Sequence, residues 1–172
     1  MYFYQNKWHI STSGVLDAET GANGNFKTFR QLVIDTIQLQ YNKTFEEFTQ
    51  VLNPLYYYMF ELCTPYNIVV TPHTESKIYL LGLRNSVDLL ETSIEPYKGT
   101  LDICESVALS NVNDIRKTFD NMTWTEEGYV VCDAKFDRVK IKNPLYVSVH
   151  HTKNAVGPYH IMDVIKSNEI DE

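Results

Sequence analysis

The chain has 172 residues, of which 44% are hydrophobic and 22% are charged. This composition is typical of one folded domain and excludes a disordered, collagen-like or low-complexity chain. Fifteen Lys and Arg residues against 22 Asp and Glu residues give a net charge of −7. A nucleic-acid contact would therefore need a local basic patch, and a polybasic role is excluded.

The first third of the sequence predicts a hairpin and two helices. Residues 2–13 mix aromatic, β-branched and polar side chains around a turn candidate at Asn6-Lys7, which is typical of a hairpin. A strand so near residue 1 suggests a partner strand upstream. Residues 14–25 are glycine-rich and predict a loop. A helix ending near Tyr41 follows from apolar residues at near-helical spacing, namely Phe26, Phe29, Val33 and Ile37. Thr44 and Glu47 form a capping-box pattern, so a second helix should begin there and end before Pro54.

The remainder alternates between β-rich and helical patterns. Dense β-formers predict strands over residues 56–63, 67–71 and 77–83, and a short strand within residues 101–109. Residues 86–100 are ambiguous. Residues 111–122 have helical spacing behind an Asn-rich start. Residues 127–136 and 138–142 predict a strand pair, and Pro144 and Pro158 stand where proline commonly opens a helix. The mixed order predicts one α+β domain over residues 1–172.

The cysteine spacing and the hydropathy indicate the cellular compartment. Cys63, Cys104 and Cys132 are widely spaced and odd in number, which favours a reducing compartment over a disulfide framework. No run approaches the roughly 18 apolar residues of a membrane span, and no charged leader precedes an apolar stretch. We therefore expect a soluble, cytoplasmic protein with no membrane partner.

Two lysines on one strand are the strongest chemical signal. Lys140 and Lys142 flank Ile141, so the period of two places both ammonium groups on one face and Ile141 towards the core. Two adjacent cations suit a polyphosphate, and they belong to a basic strip over residues 135–153. The alternative interpretation is an ordinary solvated strand face.

Two segments carry further candidate carboxylates. Glu61 follows the apolar residues 58–60, where a charge is costly without a partner, and it could hold a ligand hydroxyl. The alternative is a charge on the open face of a half-buried strand. Glu126 and Glu127, before Gly128, could contribute oxygen ligands to a magnesium ion, although a solvated strand end is the alternative.

Other signals are weaker. The pair His150-His151 could suggest a metal, but adjacent side chains diverge and the zinc spacing is missing. The run Tyr56-Tyr57-Tyr58 could stack on bases, although core packing is the more common role for such a run.

Four segments form an ordered series. They are Phe60-Glu61-Leu62, residues 77–85 (KIYLLGLRN), residues 127–131 (EGYVV) and residues 140–142 (KIK). This series resembles motifs III, IIIa, IV and V of the covalent nucleotidyltransferases. The stretch over residues 140–150 (KIKNPLYVSVH) looks specifically like the RNA ligase 1 family, the tRNA-repair ligases of large tailed bacteriophages. Residues 7–14 (KWHISTSG) are similar to the segment just after that family's nucleophile motif.

The resemblance implies a function and a site. It implies a ligase-type nucleotidyltransferase domain with antiparallel sheets, and a chemistry in which a Lys-x-Asp-Gly lysine takes AMP from ATP. The AMP then passes to an RNA 5′-phosphate, which is sealed with a 3′-hydroxyl. By resemblance, Glu61 binds the ribose and Glu127 supports the metal, Mg²⁺ or Mn²⁺. Lys140 and Lys142 hold phosphate and stabilise charge during transfer. Gly128 and Tyr146 belong to the nucleotide pocket.

The sequence departs from the family pattern in two places. It contains no Lys-x-Asp-Gly and no Asp-Gly dipeptide, and Ser13 stands where the family usually has a basic residue. We therefore expect an N-terminally truncated domain that also lacks the family's C-terminal domain. Three hypotheses follow. The first is part of an ATP-dependent RNA ligase acting on RNA ends, including tRNA, with a companion chain that supplies the nucleophile. The second is a non-catalytic module that binds nucleotide or RNA. The third is a remnant with a structural role, whose exposed sheet edge would self-associate.

Overall fold

A computed structural model describes residues 1–19, 28–66 and 70–154, with side chains up to residue 152. The chain splits into two compact units. The first comprises Met1–Ile68 and His73–Val107, and the second comprises Val69–Pro72 and Ala108–Glu172. Within the described residues, no helix is long and apolar enough to cross a membrane.

The first unit opens with the expected hairpin. Strands β1 (Tyr2–Tyr4) and β2 (Lys7–His9) pair antiparallel. The turn lies at Gln5 and Asn6, one residue earlier than predicted, and both residues have positive φ angles of 46° and 63°. Such a two-residue turn matches the twist of the flanking strands.

Both predicted helices of the first unit are confirmed. Helix α1 spans Phe29–Tyr41, is capped by the Thr28 side chain and buries its apolar stripe. Phe26 lies outside the described residues. Helix α2 spans Phe45–Thr49, and the capping box is complete, because Thr44 and Glu47 bond each other's backbone amides.

An antiparallel sheet forms the centre of the first unit. Its strands are β3 (Tyr56–Cys63), β4 (Lys77–Asn85) and β5 (Glu91–Thr92), in the order β3-β4-β5. The register shifts between Met59 and Phe60. A 3-10 turn follows at Glu95–Tyr97. The core of the unit lies between the sheet and the helices and includes Leu32, Ile37, Phe48, Tyr58, Ile78 and Leu80.

The second unit contains two helices and a ribbon. Helix α3 spans Val112–Thr118 and is followed by a 3-10 turn at Phe119–Asn121. Strands β6 (Gly128–Cys132) and β7 (Arg138–Lys142) form an antiparallel hairpin. Helix α4 (Pro144–Asn154) begins at the proline, as predicted. Pro158 lies outside the described residues.

Two predicted strands differ from the structure. Of residues 67–71, the first three lie outside the described residues, whereas Val70 and Thr71 form a bend. The Thr71 hydroxyl donates to the Thr125 carbonyl at 2.6 Å, a side-chain bond that holds this segment without sheet pairing. Residues 101–109 make only isolated bridges, at Leu101 and Ile103. The segment after Ile103 is largely exposed, so its β-forming residues have no partner strand to pack against.

The architecture is therefore α+β with antiparallel sheets, as expected. The prediction of a single domain over residues 1–172 stays a prediction.

Candidate functional site

The β6-β7 hairpin presents the two predicted lysines on one face. Lys142 is opposite Gly128 and Lys140 is opposite Val130 in the register. Both lysines are exposed, whereas Ile141, which points to the other face, is only half-buried. Ile141 points away from the lysines, as expected, but it is not fully buried in a core. Much of both faces of this two-stranded ribbon is open. The two ammonium groups stay accessible to a ligand.

Glu127 joins the two lysines into one cluster. Its Oε1 atom lies 3.0 Å from Lys142 Nζ and 3.8 Å from Lys140 Nζ. One carboxylate balances only part of the charge of two ammonium groups, so the cluster keeps a net positive charge. Because all three side chains are substantially exposed, the pairs contribute little to stability and can exchange partners with an incoming anion.

The neighbouring Glu126 is committed elsewhere. Its Oε2 atom accepts hydrogen bonds from the Thr123 amide at 2.8 Å and from the Thr123 hydroxyl at 3.1 Å. These bonds close the loop that leads into β6. Of the two adjacent carboxylates, Glu127 is therefore the one that pairs with the lysines.

Gly128 allows the close approach of β6 and β7. It has a φ of +124°, and a Cβ atom there would lie 2.3 Å from the Ile141 carbonyl oxygen. Only glycine fits both the backbone angle and the space. The absence of a side chain thus brings Glu127 beside Lys142.

Tyr146 lies beneath this cluster on α4. Its side chain is only 6% exposed, and Lys142 Nζ sits 5.7 Å from the centroid of its ring. This cation–π contact orients the lysine. On its other side the Tyr146 ring stacks on His150, with centroids 6.3 Å apart. We call Glu127, Gly128, Lys140, Lys142 and Tyr146 the lysine site.

Asn143 supports the lysine site and is absent from the sequence-based candidates. It is fully buried, and its Nδ2 atom donates to the carbonyls of Thr123 at 2.8 Å and Glu126 at 3.1 Å. Its Oδ1 atom accepts from the Leu145 amide at 3.0 Å, at the start of α4. The residue thus ties the loop before β6 to the end of β7. The sequence signal for this role is an Asn directly before a helix-opening Pro.

Replacing Asn143 with alanine is expected to lower the free energy of unfolding of the second unit by about 2–4 kcal/mol. The change would remove three part-buried hydrogen bonds of this side chain, each of which is worth about 0.5–1.5 kcal/mol. Urea unfolding measures the change, followed by the fluorescence of Trp124, which lies in the tethered loop, in a Trp8→Phe background. The matched control is Asn111→Ala, which removes the exposed cap of α3 at about 1 kcal/mol. Equal losses for the two variants would contradict the tethering role.

Glu61 lies in the first unit, beside a pocket of about 420 Å³. Its side chain is exposed, so the charge avoids the cost of burial anticipated from its apolar neighbours. The pocket is also lined by Ser11, Thr12 and Ser13 from the segment after β2. Hydroxyl groups and a carboxylate at the rim, with an apolar floor, form a polar-edged site for a small molecule.

Two thiols lie near Glu61. Burial, with the charge of Glu61, raises the pKa of the Cys63 thiol to about 11. The same two causes raise the pKa of Cys104. Both groups are therefore protonated at neutral pH and make poor nucleophiles or metal ligands.

The donor set at the lysine site restricts how a metal could bind. In residues 1–19, 28–66 and 70–154, no group of three or more His, Cys, Asp and Glu side chains is placed to hold a metal ion. A magnesium ion at Glu127 would therefore take its other ligands from water and bound phosphate, as Mg²⁺ commonly does. The residues fit a metal that arrives with a polyphosphate.

The structure thus brings together five of the six predicted site residues. Glu127, Gly128, Lys140, Lys142 and Tyr146 meet in the second unit, whereas Glu61 belongs to the first. The Tyr56–Tyr58 run divides by strand alternation, with Tyr58 buried and Tyr57 exposed, as expected for core packing with surface cover.

The sequence is similar to two viral proteins. It is 25% identical to an RNA ligase of Rhodothermus phage RM378 over 219 aligned positions, which cover 99% of this chain and 48% of the relative. It is 27% identical over 180 positions to a baculovirus protein named as a bifunctional polynucleotide kinase/RNA ligase. That protein comes from Autographa californica nuclear polyhedrosis virus, and the match covers all of this chain and 25% of the relative. No family model matches.

These matches confirm the resemblance to RNA ligases that the ordered motifs carry. Both relatives match over essentially the whole chain and both are named as RNA ligases. The chain spans about half the length of the phage relative and a quarter of that of the baculovirus relative. The similarity therefore concerns a part of an RNA ligase.

Proposed function

We propose that this chain is the nucleotidyltransferase part of an ATP-dependent RNA ligase of the RNA ligase 1 type. The observation that carries the proposal is the lysine site, in which Lys140 and Lys142 share Glu127 on one open strand face. A pair of cations of this kind is suited to a triphosphate and to the charge that develops during phosphoryl transfer. The full-length similarity to proteins named RNA ligases supports the same conclusion.

The motif resemblance assigns a role to each of these residues. Lys142, oriented by Tyr146, and Lys140 contact the phosphates of ATP. Glu127 would hold a magnesium or manganese ion that arrives with the nucleotide, and such an ion would neutralise phosphate charge. The ribose role of Glu61, which lies in the first unit, rests on the motif resemblance alone. The joined substrates are RNA 5′-phosphate and 3′-hydroxyl ends, and tRNA ends are the natural candidates by the motif resemblance.

A second candidate function is favoured by one sequence observation. These 172 residues contain no Lys-x-Asp-Gly motif. The second candidate is therefore a module that binds nucleotide or RNA without catalysis.

Incubation with ATP and Mg²⁺ tests the proposal. We expect saturable binding of ATP by calorimetry, because two ammonium groups lie on one open face. Intact mass then shows whether AMP becomes covalently attached. A gain that is weakened in Lys140→Ala and Lys142→Ala would mean that another lysine, such as Lys7, acts as the nucleophile. Without such a gain, the deciding assay adds a polypeptide that carries Lys-x-Asp-Gly and measures the sealing of RNA ends.

Each outcome assigns one function. Sealing that depends on this chain supports the ligase, and ATP binding without sealing supports the binding module. An absence of affinity for ATP, AMP and RNA ends would overturn both.

A further inference from the structure

The β1-β2 hairpin has two faces of different chemistry. The inner face carries Phe3 and Trp8, which pack edge to face at 5.4 Å, and Trp8 packs edge to face on the buried Tyr58 at 5.8 Å. Strand alternation places Tyr2, Tyr4, Lys7 and His9 on the outer face. We call these four residues the tyrosine face. Packing of the inner face on Tyr58 explains why Phe3 and Trp8 are aromatic. It does not explain why aromatic residues also stand on the outer face.

The rings of the tyrosine face are held in place. Tyr2 stacks on His9 with centroids 5.1 Å apart and planes 15° apart. The Tyr2 hydroxyl donates to the Leu16 carbonyl at 2.9 Å, and His9 Nε2 lies 3.2 Å from the Tyr4 carbonyl oxygen. The Tyr4 ring lies 6.2 Å from the ordered His9 ring in a tilted arrangement and is 58% exposed. Its surface is therefore open to a stacking base.

The local charge favours an anionic partner. The chain carries 22 Asp and Glu residues, yet residues 1–16 contain none. Lys7 is exposed and lies opposite Tyr4 in the hairpin register. An exposed ring beside a cation, in a stretch free of carboxylates, is the combination that binds single-stranded nucleic acid through base stacking and phosphate contact.

We propose that the tyrosine face binds single-stranded RNA, with a base stacked on Tyr4 and the adjoining phosphate on Lys7. The identity of the partner as RNA rests on the proposed function. Stacking tolerates every base, since each has a π-face, so this contact strengthens RNA binding without selecting a sequence.

Fluorescence anisotropy with 12-nucleotide oligouridylate and oligoadenylate tests the inference. We expect Tyr4→Ala to weaken binding of both oligonucleotides at least about fivefold, the lower end for one stacked base. Tyr4→Phe keeps the ring and is expected to stay within about twofold of the unmodified chain. Lys7→Gln is expected to reduce the salt slope of log K by about 0.7, the value for one phosphate contact on a single strand.

The controls separate this contact from folding and from nucleotide binding. Tyr57→Ala removes another exposed tyrosine of the same unit and is expected to leave RNA affinity unchanged. Trp8 fluorescence, read in a Trp124→Phe background, reports whether the hairpin is intact in each variant, and ATP affinity is measured on the same preparations. Loss of RNA affinity in Tyr4→Ala with unchanged ATP affinity supports the inference. Failure of ATP binding with the Tyr4 effect retained would refute the nucleotidyltransferase proposal alone.

Three results would overturn the inference. They are an absence of RNA binding by the unmodified chain, equal affinities for the unmodified chain and Tyr4→Ala, and dissociation of a dimer by Tyr4→Ala in sedimentation. The third result would mean that a second copy of the chain covers the tyrosine face.

Discussion

Gly128→Ala is expected to lower the free energy of unfolding of the second unit by about 3 kcal/mol or more. A non-glycine residue at positive φ costs about 1–3 kcal/mol, and forcing an atom into a filled space adds about 1–3 kcal/mol. Here the added Cβ would lie 2.3 Å from the Ile141 carbonyl oxygen and 3.0 Å from the Lys142 Cα atom. Both neighbours are backbone atoms, so the clash can be removed only if β6 and β7 move apart. Urea unfolding monitored by Trp124 fluorescence in a Trp8→Phe background measures the loss.

Substitutions at two other glycines separate the cost of the positive φ angle from the cost of the close contact. Gly99 has a φ of +84°, but an added Cβ there would have no described atom within 4 Å, and Gly14 has neither constraint. We expect Gly99→Ala to cost about 1–2 kcal/mol and Gly14→Ala to stay within about 0.5 kcal/mol. A Gly128→Ala loss no larger than that of Gly99→Ala would show that close strand approach contributes nothing. The separation of β6 from β7 should also move Glu127 away from Lys142, so ATP affinity should fall in Gly128→Ala alone.

Local signals were sufficient for much of the fold. The capping box of Thr44 and Glu47 and the helix-opening Pro144 act within one turn of chain, and both helices begin where these residues predict. The strand pair of the lysine site was also predictable, since alternation places Lys140 and Lys142 on one face whatever the surroundings. The turn at Gln5 and Asn6 was misplaced by only one residue.

The failures come from interactions between distant positions. Residues 101–109 have β-forming side chains, but a strand also needs a partner along its length, and only Leu101 and Ile103 have one in the described residues. Asn143 has no chemistry that a motif would reveal. Its importance comes from its burial and from bonds to carbonyls 17 and 20 residues earlier. Gly128 was identified by resemblance, whereas the reason that it must be glycine is a contact with the partner strand.

Lys142→Ala is expected to weaken the affinity for ATP by about ten- to hundredfold. A hydrogen bond to a charged group is worth about 1.5–3 kcal/mol, and Lys142 is the lysine that both Glu127 and the Tyr146 ring orient. Calorimetry at fixed ionic strength measures the change. Lys135→Ala is the matched control, because it removes an exposed lysine from the turn of the same hairpin, and it is expected to alter the affinity less than twofold. Equal effects would mean that ATP responds to the overall charge of the ribbon and has no defined contact with Lys142.

Glu127→Gln then separates the two roles that this carboxylate could have. As a metal ligand, Glu127 is needed only when Mg²⁺ accompanies the nucleotide, so the glutamine variant should lose the gain in affinity that Mg²⁺ provides. Without metal the same variant should bind ATP more tightly than the unmodified chain, because both lysines are released from their ion pairs and a negative charge is removed. If Glu127 served only to position the lysines, the substitution would weaken ATP binding equally with and without Mg²⁺. The sign of the change in metal-free buffer therefore distinguishes a metal site from a structural ion pair.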